Sequence, residues 1–132
     1  MKTILKTVLF LLIVTTIGCS QENDVKPINE SNKLIGHWIN PTYNSNGSEL
    51  QLTRASSLKD GEYGLSFLEE TQCVERSSGW CGTLPLSFMD FKGTWTRTDS
   101  VVMVTIDNGL GMQNIKWLIK TLDDKTLILE RM

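Results

Sequence analysis

From Lys33 to Met132 the chain alternates apolar and polar residues in short runs, and no stretch holds the 3.6-residue period of an amphipathic helix. Each run reads as a strand bounded by turn residues. Leu34, Gly36 and Trp38 share one face of the first, Ile35, His37 and Ile39 the other, and Asn40-Pro41 is its expected stop. Residues 49–55 set Leu50 and Leu52 against Glu49, Gln51 and Thr53, the pattern of a strand wet on one side. Tyr63, Leu65 and Phe67 line one face of residues 62–69, and residues 72–76 return as a hairpin partner through a turn at 69–71 that lacks Asn-Gly. A short strand is expected over 84–88 and a longer one over 91–98. Residues 100–107 are apolar on both faces through Val101, Val102, Met103, Val104 and Ile106, which predicts a central or doubly covered strand. Residues 112–122, with Ile115, Trp117 and Ile119 on one face, and residues 125–132 complete the set.

Eight or nine such strands joined by short turns predict an all-β fold. Closure would remove the exposed edges that invite aggregation. The expected architecture is a small antiparallel up-and-down β-barrel of about eight strands, formed by residues 33–132. Its strands are short, so the interior either holds one ligand or is filled by side chains.

The first 32 residues follow a different pattern. Lys2 and Lys6 precede an apolar run from Thr7 to Ile17, and Gly18-Cys19 closes it. That is the layout of a signal peptide, and the run is too short to span a bilayer as a helix. Thr16-Ile17-Gly18-Cys19 resembles the lipobox of bacterial lipoproteins, with Thr16 where Leu is commonest. The resemblance implies cleavage after residue 18, acylation of Cys19 (a palmitate-type anchor) and a place in the bacterial outer membrane. Residues 19–32 are polar and acidic and read as a flexible tether. The run Ser20-Gln21-Glu22-Asn23-Asp24 also resembles short export signals for the cell surface, which leaves periplasmic-facing and surface-exposed placements both open.

Loss of residues 1–18 removes Lys2 and Lys6, taking 13 basic residues to 11 against 15 acidic ones and leaving a formal charge of −4. With no cluster of Lys or Arg, nucleic acid is not an expected partner. Setting Cys19 aside leaves Cys73 and Cys81 as an even pair in an exported chain, a candidate disulfide. The other reading is two free thiols packed as small hydrophobes.

Gly36-His37-Trp38, Tyr63-Gly64-Leu65-Ser66-Phe67, Gly93-Thr94-Trp95 and the closing residues 117–127 resemble bacterial lipocalin-like lipoproteins over most of residues 33–132. The resemblance implies a small antiparallel barrel in a group whose members mostly lack an assigned activity. It also implies that Trp38 plugs one end of the barrel as a structural residue. The echo of Gly36-x-Trp38 in Gly93-x-Trp95 reads as convergence on one packing need, where Gly admits a close neighbour and Trp fills the gap.

Catalytic chemistry finds little to stand on. His37 is the single histidine, no Gly-x-Ser-x-Gly elbow is present, and neither a metal-ligand spacing nor a cofactor motif occurs. The irregular stretch 77–90 contains the expected functional loop, residues 77–85, with Trp80, Leu84 and Phe88 as binding candidates. Trp80 there is either an exposed anchor or a cap over the barrel mouth. The function expected from the sequence is a membrane-anchored, noncatalytic binding lipoprotein of the cell envelope, taking a small apolar ligand or a protein partner. The alternative is an inhibitor or immunity-type lipoprotein acting through a protein-binding loop.

Overall fold

A computed structural model describes residues 33–78 and 86–132. The eight strands are β1 (Gly36–Tyr43), β2 (Glu49–Ala55), β3 (Gly64–Phe67), β4 (Gln72–Ser77), β5 (Met89–Thr98), β6 (Val101–Asp107), β7 (Met112–Leu122) and β8 (Thr126–Arg131). They close in the order β1-β2-β8-β7-β6-β5-β4-β3, with every neighbouring pair antiparallel and β3 returning to β1. The small, closed, antiparallel eight-stranded barrel expected from the alternation is therefore the fold.

One connection does not join neighbours. β2 and β3 both flank β1, so residues 56–63 pass across the outer face of β1 before entering β3. Leu58 packs where a side chain on Gly64 would project, 2.6 Å from that Cβ position, and Lys59 Nζ donates to Asn40 Oδ1 at 3.3 Å. This cover explains why Ile39, on the outward pleat of β1, is only 5% exposed.

Two local expectations are corrected and a third is narrowed. β1 does not stop at Asn40-Pro41 but runs on to Tyr43. Its register to β2 shifts between Ile39 and Thr42, and Asn40 takes φ 54°, so the two residues form a bulge in which proline's missing N–H costs no ladder bond. β6 is central, paired with β5 and β7 on its two edges, but it is not doubly covered: Val102, Val104 and Ile106 are buried while Met103 on the opposite pleat is 38% exposed. A barrel has one interior, and a strand apolar on both faces still turns one to solvent. Residues 86–88 are not strand, and β5 starts at Met89 instead; positions 84 and 85 of the expected short strand lie outside the described residues.

The interior is filled by the inward pleats, among them Trp38, Leu52, Leu65, Phe67, Val104 and Leu127. Phe67 and Trp95 meet edge to face at 5.5 Å and 83°. Gly93 is required here, because a Cβ would stand 2.0 Å from the Thr105 carbonyl oxygen of β6. Both Gly-x-Trp pairs thus pack alike: each tryptophan is buried and donates its Nε1–H to a backbone carbonyl, Trp38 to Leu34 at 2.8 Å and Trp95 to Leu68 at 3.0 Å. The β3–β4 hairpin turns through Glu70 (φ 56°) and Thr71 (φ 60°). Its geometry is the one Asn-Gly favours, imposed on a bulky pair.

Candidate functional site

The strand directions give the barrel two distinct ends. At one lie Lys33–Ile35, Ala55 and the turns at 68–71, 99–100 and 123–125; at the other lie the loops at 44–48 and 108–111, the entry to β3, the end of β4, the start of β5 and the end of β8.

The first end is sealed by Arg54. The alternation of β2 turns Leu50, Leu52 and Arg54 to the same side, so the guanidinium lies over the barrel floor, with Cζ 4.3 Å above the Trp38 ring. It donates to three backbone carbonyls, those of Ile35 (2.8 Å), Asp124 (2.9 Å) and Lys33. One side chain thereby ties the entering chain and the β7–β8 turn to the plug. Gly36, at φ 144°, leaves room for it, since a Cβ would stand 2.4 Å from Arg54 Nη1.

The other end is apolar and open to solvent. Tyr43 (57% exposed), Leu86 (45%), Met89 (55%) and Leu110 (81%) stand at its strand ends and loops, while Met112 (64%), opposite Asp107, and Met132 (67%), beside Lys116, stand on outward pleats near it. The remaining exposed large apolar side chain among the described residues, Met103, lies on the outer wall opposite Lys116. Isolated exposed apolar residues need no explanation, but four collected at the strand ends and loops of one end of a barrel form a candidate binding surface.

Beneath this rim the β3–β4–β5 sector grades from sealed to open. Leu65 and Cys73 are buried, whereas Tyr63, Glu75 and Phe91, on the same inward pleats nearer the mouth, are half-buried. Glu75 is paired with Leu65 on one side and Phe91 on the other, and its Oε1 accepts from the Tyr63 hydroxyl at 3.1 Å. Burial raises the Glu75 carboxyl above the usual carboxylate range, against the Tyr63 hydrogen bond, which lowers it. The Tyr63 phenol is pushed well up by burial and then by the Glu75 charge. The Cys73 thiol is pushed up to about 11 by the same two causes.

Outside the wall, Phe88, Met89, Asp60, Gly61, Arg76 and Asp90 line an open groove of about 470 Å³. Its cation is internally satisfied. Arg76 holds Asp90 through two bonds of 2.6 and 2.9 Å and Asp60 through one of 2.9 Å, and the pairing keeps Asp90 below its ordinary range. A smaller cleft of about 150 Å³ lies by Thr42, Tyr43 and Ile128.

The residues singled out from the sequence scatter across this frame. Trp38 is fully buried at the sealed end, in the place of a plug. Phe88 is half-buried in the groove; Cys19, Trp80, Cys81 and Leu84 lie outside the described residues. Cys73 is a free thiol, 1% exposed, and Cys81, its expected partner, lies outside the described residues. The pleat of β4 turns the Cys73 sulfur into the core between Phe67 and Gly93. His37 Nδ1 lies 2.7 Å from Ser66 Oγ, and both sit on the outward pleats of β1 and β3. Ser66 is 2% exposed, which makes the contact a clasp between strands rather than an accessible nucleophile. Among the described residues no group of three or more His, Cys, Asp or Glu is placed to hold a metal ion.

Arg54, Tyr63 and Glu75 were missed as site residues. The signal was present for two of them: Arg54 continues the Leu50, Leu52 face, and Glu75 continues the face of Cys73.

The outer wall carries Gln51, Lys92, Thr94, Lys116 and Lys120 on exposed pleats, whereas a lipid-facing barrel turns its apolar side outward. No helix among the described residues is long and apolar enough to cross a membrane. The class defined is a water-facing, closed antiparallel barrel with one sealed and one apolar end. No protein-family model, curated protein or solved structure matches the chain.

Proposed function

We propose that this chain is a noncatalytic binding lipoprotein of the bacterial cell envelope, acylated at Cys19, that takes a small apolar ligand at the open end of its barrel. The observation that carries the reading is the collection of exposed apolar side chains at one end, above an inner wall that is half-open in the β3–β4–β5 sector. Apolar lining with a few fixed polar groups is the usual make-up of a small-molecule site.

Lipid anchoring fits the same geometry. The chain enters the barrel through Lys33–Ile35 at the sealed end, so an anchor at Cys19 would join the barrel at that end and not at the mouth. Residues 20–32, if extended, reach roughly 40 Å, enough to clear the bilayer surface. Replacement of Cys19 with Ser is expected to release the protein from membranes into the soluble fraction; a variant that stayed bound, with no lipid on the wild type, would exclude the anchor.

Binding is tested with the neutral fluorophore N-phenyl-1-naphthylamine. Saturable binding at one site per chain is expected, weakened about tenfold or more by Met89→Lys combined with Leu110→Lys. Met103→Lys on the wall should leave it unchanged. No saturable binding, or equal loss in the wall variant, would defeat the reading.

A further inference from the structure

Glu75 is the only carboxylate on an inward strand pleat among the described residues. Glu49, Asp90, Asp107 and Glu130 stand on outward pleats, and the ion pairs of the barrel, at Lys59–Glu62, Arg76 with Asp60 and Asp90, and Lys120–Glu130, do not include it. Its one hydrogen bond comes from a neutral hydroxyl, that of Tyr63. A half-buried carboxylate with one neutral donor and no ion-pair partner carries a desolvation cost, and an apolar side chain at this wall position would pack between Leu65 and Phe91 without it. Groups retained at such a cost cluster where something binds.

What the carboxylate lacks defines what it would accept. Two aromatic residues, Tyr63 and Phe91, border it, and the mouth rim above is apolar. We propose that Glu75 is the polar contact for a protonated amine, held between the carboxylate and these aromatic faces while the apolar body of the same small molecule lies against the rim. The chemistry is an ion pair completed on binding, reinforced by cation–π contact. The inference rests on the mouth-binding reading and adds the ligand's chemical class to it.

The test is displacement of bound N-phenyl-1-naphthylamine from the full chain by dodecan-1-amine and, separately, by dodecan-1-ol, two probes that share one alkyl body and differ in the charged head. The amine is expected to displace the fluorophore at a concentration about tenfold or more below the alcohol. In Glu75→Gln, which preserves shape and an acceptor for Tyr63, the two should become equal. Tyr63→Phe strips the carboxylate of its donor and should widen the preference. Glu69→Gln, at the sealed end, removes one negative charge far from the mouth and should leave the preference intact, which separates Glu75 from the general attraction of an acidic protein for amines. Equal displacement by both probes in the wild type would overturn the inference and spare the binding reading. So would a preference that survives Glu75→Gln. Failure of the fluorophore itself to bind would defeat the underlying reading instead. Thermal unfolding of each variant confirms that a lost preference is not a lost fold.

Discussion

The two ends of this barrel are built from the same pleated strands, yet they handle polar groups in opposite ways. At the sealed end one cation, Arg54, is surrounded by partners: three backbone carbonyls and the face of Trp38. At the mouth one anion, Glu75, has a single neutral partner and an apolar rim above it. A satisfied charge stabilises and fixes an end of the fold, whereas an unsatisfied one is tolerated at some cost to stability. The contrast separates a region shaped for folding from one free to interact.

The largest expected effect lies at the sealed end. Trp38→Ala should destabilise the protein by about 4 kcal/mol, the range for removing a fully buried tryptophan, as read from urea unfolding. Arg54→Ala is expected to cost about 3 kcal/mol, because three carbonyls lose a shared donor and the plug loses its cover. If either cost fell below 1 kcal/mol, the sealed end would not be the structural half.

The β3–β4 turn offers a gain. Replacing Glu70-Thr71 with Asn-Gly should stabilise by about 2 kcal/mol, since both positions sit at positive φ and a β-branched residue is poorly suited to one of them. No gain in thermal unfolding would mean that the two positive-φ positions carry no strain for the native side chains.

Glu75 sharpens the contrast further. Its carboxyl is raised in the folded state, so folded protein holds the proton over a pH range where unfolded chain has already released it. Stability therefore falls as pH rises from the ordinary carboxylate value through the raised one, and the penalty is fully present above both. Glu75→Gln should remove that slope and stabilise by roughly 1 kcal/mol at neutral pH. Denaturant midpoints measured from acid to neutral pH check the sign; a variant less stable than wild type at neutral pH would refute it. Smallest of all, Leu110→Lys on the rim should change stability by no more than about 0.5 kcal/mol while weakening fluorophore binding.

Much of the wall was legible because side-chain alternation has a period of two and burial follows it. Leu50 and Leu52, Leu65 and Phe67, and Leu127 and Leu129 all turned inward as their spacing indicated. The same rule misled at Asn40-Pro41, where a bulge absorbs two residues that read as a stop. Of the site, the sequence pointed to residues 77–85, most of which lie outside the described residues, and to a cysteine pair of which Cys73 alone is described. The structure assembles Tyr63, Glu75 and Phe91 instead; the hairpin that joins the first two was expected from the turn at 69–71, whereas the pairing that brings Phe91 of β5 against Glu75 of β4 was not.

Alternation and turn residues by themselves determined that the chain is all-β, where most strands lie and which face of each is apolar. Tertiary structure alone decided that β3 returns to β1 beneath the 56–63 crossing, and that one end is closed by an arginine and the other left apolar. Periodicity is a local property of the chain, set by the geometry of a single strand. Strand order, the partners of a charge and the depth of a carboxylate depend on contacts between distant segments, and exist only once the barrel has closed.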